Sequence, residues 1–282
     1  MIETMQDNRV FLDYGPIQMV LDLSRGVERQ PGMAQKVARF VVQEFKKLVP
    51  LVEEMQRKEL FQGQKLPEVA RIMIEASFLF PGEITPMGAV AGSFSEVAME
   101  ASLEMGADRV IINNGGDIAL ADMDKGVLSV GLPSHGKEDY LKIAVDTSRG
   151  IGGVCTSGLG GRSLTGGIAS AAVVLAQRAS VADACATYIG NCTDVESSDI
   201  SRCLAEEVEA ETDIPGHVVT LDVGSLTKKQ ICRALVNGLQ SAEKLCQEGT
   251  IKGAVLQVCG EIAAYPDQLA LEVKKVENRT AF

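Results

Sequence analysis

The chain has 282 residues, and 27 Lys and Arg against 38 Asp and Glu give a formal charge of −11. A balance this acidic argues against a nucleic-acid binder, which needs a basic face, and 46% hydrophobic with 23% charged residues is the composition of an ordinary globular chain. No apolar run approaches the ~20 residues of a membrane span. Met1 to Asp7 lacks the basic and then apolar pattern of a secretory signal, so a cytoplasmic protein is expected.

In chain order, Val10, Leu12 and Tyr14 alternate, Gly15-Pro16 breaks the run, and Ile17, Met19, Leu21 and Leu23 alternate again, which predicts a strand pair over 8–25. Val37, Phe40, Val41, Phe45 and Leu48 predict a helix over 33–60 that Pro50 kinks or divides. Pro67 opens a shorter helix to about Phe78. A third helix over about 89–105 ends at Gly106. Short strands follow around 110–112, 118–120, 127–130 and 143–145. Eight glycines then fall within 150–167. Beyond them come a small-residue strand at 171–175, a helix at about 181–190, a polar and exposed stretch at 193–200, and a strand at 218–223. The clearest helix spans 227–247, and a late strand covers 254–258. Strands joined by tight turns, with helices gathered between them, predict an α+β fold of antiparallel sheets packed with helices. No low-complexity linker divides the chain, so a single unit over 1–282 is expected.

The cysteines are Cys155, Cys185, Cys192, Cys203, Cys232, Cys246 and Cys259, with no pair at C-x-x-C spacing, so reduced thiols are expected rather than a zinc knuckle or dithiol. Only two histidines are present. His135 reads as a loop residue and His217 as a structural one at a strand start. Cys155 reads as a buried inert thiol, or as a nucleophile if a positive group lowers its pKa. Glu206 to Glu211 reads as a solvated helix face.

Three segments can carry chemistry. The glycine-rich stretch lacks both the P-loop lysine and the dinucleotide fingerprint, yet glycine N–H groups can receive an anion; a crowded turn is the competing reading. Asn114-Gly115-Gly116-Asp117 between apolar strands is first a hairpin turn. Asp183 and Thr187 lie four apart on one helix face and could share Mg²⁺. Ser180 and Asp183 also fit a capping box, the commoner structure.

Together these segments resemble the ApbE-like family, which includes Mg²⁺-dependent FAD:protein FMN transferases. Met87-Gly88-Ala89-Val90-Ala91-Gly92 is similar to the family's Gly-Gly-Ile-Ala-Lys-Gly helix entry. Ile112-Asn113-Asn114-Gly115-Gly116-Asp117-Ile118 is similar to its Asn-x-Gly-Gly-Asp hairpin, Cys155-Thr156-Ser157-Gly158 to its Ala-Thr-Ser-Gly, and Ala182 to Thr187 to its Ala-Asp-Ala-Leu-Ala-Thr. The motif-bearing part is about 84–192. The flanks, 1–80 and 193–282, look closer to an anaerobe and archaeal branch.

The resemblance implies Mg²⁺ ligands at Asp183, Thr187 and a backbone carbonyl near Val90. It implies a nucleotide groove, for FAD or FMN, lined by Asn114, Gly115, Gly116, Asp117, Thr156, Ser157 and Gly158, with Arg162 as a cation for phosphate. The chain lacks the family's His-x-x-Asp-Pro-x-Thr-Gly segment and carries Ala91 in place of its lysine. The expected function is thus nucleotide binding with transferase chemistry altered or lost, and no catalytic residue is assigned. The alternatives are a scaffold or partner protein in anaerobic sulfur or redox metabolism, and a divergent FMN transferase. A small nucleotide is the expected partner, with neither nucleic acid nor membrane, and a homo-oligomer is compatible with this reading.

Overall fold

In the computed structural model, residues 1–55, 66–133, 139–161 and 163–277 are described. Strands β1 (Ile2–Thr4), β2 (Val10–Tyr14), β3 (Ile17–Arg25) and β4 (Glu28–Arg29) precede helices α1 (Pro31–Leu48), α2 (Val52–Met55), α3 (Glu68–Ser77) and α4 (Val90–Glu104). Then come β5 (Arg109–Asn114), β6 (Asp117–Asp122), β7 (Val127–Pro133), β8 (Asp139–Asp146), β9 (Gly153–Ser157) and β10 (Ala171–Ala176). Helix α5 (Ala179–Asn191), β11 (Ile200–Leu204), α6 (Ala205–Val208), β12 (Val218–Val223) and α7 (Lys228–Gln247) follow. The last elements are β13 (Gly253–Val258), β14 (Glu261–Tyr265), α8 (Asp267–Glu272) and β15 (Val273–Glu277). The α+β expectation holds, with antiparallel ladders joining β1 to β2, β2 to β3, β3 to β4 and β5, β5 to β6, β6 to β9, β10 to β13, β13 to β14, β11 to β12 and β8 to β15. No described helix is long and apolar enough to cross a membrane.

The chain folds as two compact units with interleaved sequence. The first holds Met1–Gly126, Asp146–Cys155 and Gln177–Ala184. Its strands run β1-β2-β3-β5-β6-β9, with β4 added to β3. Alternation on β3 buries Ile17, Met19, Leu21 and Leu23 and leaves Gln18, Asp22 and Ser24 on the other face. Helix α1 buries Ala34, Val37, Ala38, Val41 and Leu48 against this sheet and α4. Tyr14, Phe45 and Phe94 stack in sequence, the first pair edge-on at 5.8 Å. Pro50 lies in a single 3₁₀ turn over Val49–Leu51, which separates α1 from α2, because proline supplies no N–H to continue the ladder. The rest of the predicted 33–60 helix lies outside the described residues.

The second unit holds Val127–Val145, Thr156–Ala176 and Cys185–Phe282. Here β10, β13 and β14 form an antiparallel sheet on which α7 packs. Thr227 and Gln230 close a capping box at the start of α7. Strands β11 and β12 pair separately, as do β8 and β15. The predicted exposed stretch 193–200 is exposed only in part: Asp194, Glu196, Ser198 and Asp199 are exposed, but Thr193 is fully buried, and Val195 and Ile200 belong to a core with Ala234 and Val258. Polarity misled there because Thr193 is buried for its hydroxyl.

Candidate functional site

Helix α4 begins at Val90 with no side-chain cap from its own N-terminal residue, Ala89. Its free N–H groups are met from elsewhere. Gly92 N–H donates to Asp183 Oδ2 at 2.8 Å, across 91 residues of sequence, and the Ala91 N–H adds a second bond to the same carboxylate. The start of α5 is answered in the opposite direction. The N–H and hydroxyl of Ser180 donate to Glu96 Oε2 at 2.9 and 2.7 Å, and Arg178 Nε donates to Glu96 Oε1 at 2.7 Å. Each helix thus caps the other with a carboxylate from its second turn, where negative charge suits the positive end of a helix. The local capping box of Ser180 and Asp183 does not form, because both side chains are committed to α4.

This exchange requires close approach. A Cβ on Gly92 would lie 2.5 Å from the Ala179 carbonyl oxygen and 2.7 Å from Asp183 Cβ. The glycine in the Met87–Gly92 segment is therefore required by helix packing.

Asp183 is 7% exposed. Burial, and then the nearby Asp117 carboxylate, hold its carboxyl well above the usual range, while the Gly92 and Ala91 N–H groups oppose that shift. Among the described residues, no cationic side chain is one of its partners. Cys155, fully buried, donates its thiol to the Ala179 carbonyl at 3.2 Å. Burial, Asp117 and Asp183 push that thiol up, so the environment is the reverse of an activated nucleophile's.

Asn114 and Asp117 are paired across the hairpin, and Gly115 and Gly116 take φ of 68° and 111°, as a two-residue turn with both centres left-handed requires. Asn113 Oδ1 accepts the Gly116 N–H at 2.9 Å. Asn114 Nδ2 donates to the Ala91 carbonyl at 3.3 Å, and its buried Oδ1 has no partner. Ser95 donates to the Asp117 carbonyl at 2.7 Å. The hairpin, the start of α4 at Val90 and Asp183 are thus brought together within the first unit.

Thr156, Ser157 and Gly158 belong to the second unit, at the end of β9. Ser157 Oγ is buried without a hydrogen bond. Thr187 lies one turn beyond Asp183 on α5. Arg162 and His135 lie outside the described residues. His217 is exposed just before β12, its Nδ1 3.2 Å from the Ile214 carbonyl.

In the glycine-rich stretch many N–H groups are already engaged. Leu159, Gly160 and Gly161 donate to the carbonyls of Ala169, Ser170 and Gly158. Gly166 donates to Asn191 Oδ1, and Ile168 and Ala169 both donate to Thr193 Oγ1. The stretch therefore offers a phosphate fewer donors than its glycine content suggests. Asn191 and Thr193 escaped sequence reasoning, since nothing local links them to residues some 25 positions earlier.

Among the described residues, no three His, Cys, Asp or Glu side chains gather closely enough to hold a metal ion. A cation at Asp183 would thus rest on one carboxylate with hydroxyl, carbonyl, water and ligand oxygens. That set fits Mg²⁺, which keeps several waters and takes one or two carboxylates. A buried carboxylate with no cationic partner among the described residues is also where a cation fits.

The fold and site define an α+β protein of antiparallel sheets in which two helices exchange buried carboxylate caps. The chain belongs to the family described as AbpE bacteria, whose profile matches residues 2–264. It is 39% identical over 160 residues to a UPF0280 protein of Methanococcus vannielii, covering 55% of this chain and 63% of that one. It is 40% identical over 129 residues to a UPF0280 protein of Methanosarcina acetivorans, covering 45% and 50%. A UPF0280 protein of Methanothrix thermoacetophila is 36% identical over 140 residues, covering 49% and 57%. The match thus spans between half and two thirds of the length of these curated relatives.

Proposed function

We propose that this chain is an ApbE-like nucleotide-binding protein, with a flavin as the nucleotide base and Mg²⁺ bridging the protein to its phosphates. The observation that supports this reading is Asp183, a 7% exposed carboxylate with a second carboxylate nearby and no cationic partner among the described residues. Two backbone N–H groups satisfy part of it, and a divalent cation would relieve both its burial and its repulsion from Asp117. In this reading Thr187 and a carbonyl near Val90 complete the protein ligands. Asn114 to Asp117 and Thr156 to Gly158, with Arg162, line the nucleotide. When bound, the metal would neutralise pyrophosphate charge. The residues themselves bind and orient, and group-transfer chemistry is altered or lost with the missing histidine segment. All seven cysteines are unbridged, in line with a reducing cytoplasm as the protein's compartment.

The test is equilibrium titration of the purified chain with FAD, FMN and ATP, each with and without Mg²⁺. Mg²⁺-dependent binding of a flavin nucleotide is the expected result. No binding in any combination overturns the reading. A mass increase on an acceptor protein after incubation with FAD would instead identify a working FMN transferase.

A further inference from the structure

A second polar site lies in the first unit, on the sheet face that bears the half-exposed residues of β3 and β5. Strand register decides what meets there. Ser24 on β3 pairs with Arg109 on β5 at one side and with Arg29 on β4 at the other. Residues in register on adjacent strands project to the same face. Arg29, Ser24 and Arg109 therefore form one rung across three strands, the outer two backbones about 10 Å apart. The next rung on the same face pairs Asp22 with Ile111. The Asp7-Asn8 turn and Val27 complete the walls of a cavity of 420 Å³, within the size range of small-ligand clefts, roughly 300–1,000 Å³.

The charges in this cavity are unequally spent. Arg29 Nε and Nη2 donate to the two Asp22 oxygens at 2.9 and 3.0 Å, and its Nη1 donates to the Asp7 carbonyl at 2.7 Å. The Asp7 carboxylate takes Arg9 Nε at 2.7 Å. Both acids are thus neutralised by arginine. Three other polar side chains on the lining, the Arg109 guanidinium, the Ser24 hydroxyl and the Asn8 amide, make no hydrogen bond or ion pair with any described residue. The unspent groups are mainly donors, and one is a full positive charge. A guanidinium fork matches the paired oxygens of a carboxylate or phosphate. Ile111 and Val27 leave an apolar edge for a short carbon body.

We propose that this cavity binds a small anion through a carboxylate or phosphate group seated at Ser24, between Arg109 and Arg29. The site shares no residue with the Asp183 group, so it stands whether or not the chain binds a nucleotide there. It gives the protein a second ligand of a different chemical class from a metal-bridged nucleotide.

The experiment is calorimetric titration of the full chain with inorganic phosphate and, separately, with succinate, at low ionic strength. Saturable one-site binding of at least one anion is expected, and which one binds decides between a phosphate and a carboxylate ligand. Arg109→Gln should weaken it by about tenfold or more, the scale of one charge-assisted hydrogen-bonded contact. Arg109→Lys, which keeps the charge but loses the fork, should fall between the two. Lys36→Gln, an exposed charge change on α1, should bind as the parent does and thereby exclude a net-charge effect. The proposal is overturned if the parent binds neither anion saturably, or if a folded Arg109→Gln variant binds as tightly as the parent.

Discussion

Replacing Gly92 by alanine probes the exchange of caps between α4 and α5 most directly. The added Cβ would meet the Ala179 carbonyl oxygen at 2.5 Å and Asp183 Cβ at 2.7 Å. Neither neighbour is the free end of a flexible side chain, so the two helices must separate. Forcing a methyl into such packing costs about 1–3 kcal/mol. The same separation stretches the Gly92 N–H bond to the Asp183 carboxylate, a charged hydrogen bond worth about 1.5–3 kcal/mol. Both losses follow from one displacement, so they overlap, and a total of about 2–5 kcal/mol is expected. At roughly 2–4 °C per kcal/mol in a chain of this size class, the melting temperature should fall by about 5–15 °C. Calorimetric or circular-dichroism melting at neutral pH measures it. Gly32→Ala is the matched control, since a Cβ at that first-turn position of α1 meets nothing within 4 Å. It should be neutral or slightly stabilising through helix propensity. A Gly92→Ala melting temperature within about 2 °C of the parent would refute the reasoning.

Three further outcomes follow from the same geometry. Because the Asp183 carboxyl is held above its unfolded value, its contribution to stability is fully present below about pH 4 and is lost as pH rises from there through the raised native value. Asp183→Asn should therefore raise the metal-free protein's stability at pH 7 by about 1 kcal/mol or more and abolish any stabilisation by added Mg²⁺. A variant less stable than the metal-free parent in urea melts, yet still stabilised by Mg²⁺, would contradict both parts. Thr193→Val strips the acceptor from the Ile168 and Ala169 N–H groups at 3.0 and 2.9 Å. Two buried donors left unpaired should cost about 2–5 kcal/mol, read from the denaturant midpoint. Burial, aided by Cys246, pushes the Cys185 thiol up to about 12. Its native state stays neutral while the unfolded thiol ionises, so between about pH 9 and 12 stability should fall by roughly 1.4 kcal/mol per pH unit on this account. Cys185→Ala should flatten that part of the profile relative to the parent, and parallel profiles would exclude the thiol as its source.

Much of the architecture was legible because it depends on near neighbours. The alternation of Ile17, Met19, Leu21 and Leu23 specifies a strand with one buried face, and the stripe over 227–247 specifies a helix; Thr227 and Gln230 cap it from three residues apart. Asn114 to Asp117 was readable as a two-residue turn for the same reason. Strand β9 was hidden among glycines, and β11, β14 and β15 are short segments whose pairing partners, not their own patterns, make them strands.

The sequence by itself determined that Asp183 heads an element of the α5 helix and that Gly92 stands near the start of α4. Only the tertiary structure decided that they belong to each other. A carboxylate will cap any helix start that comes within reach, and local spacing favoured the Ser180 neighbour over a helix 91 residues away. The same limit applies to Arg29, Ser24 and Arg109. Nothing in their spacing joins them, because a rung is made by strand register, and register is set by which apolar faces must be buried together.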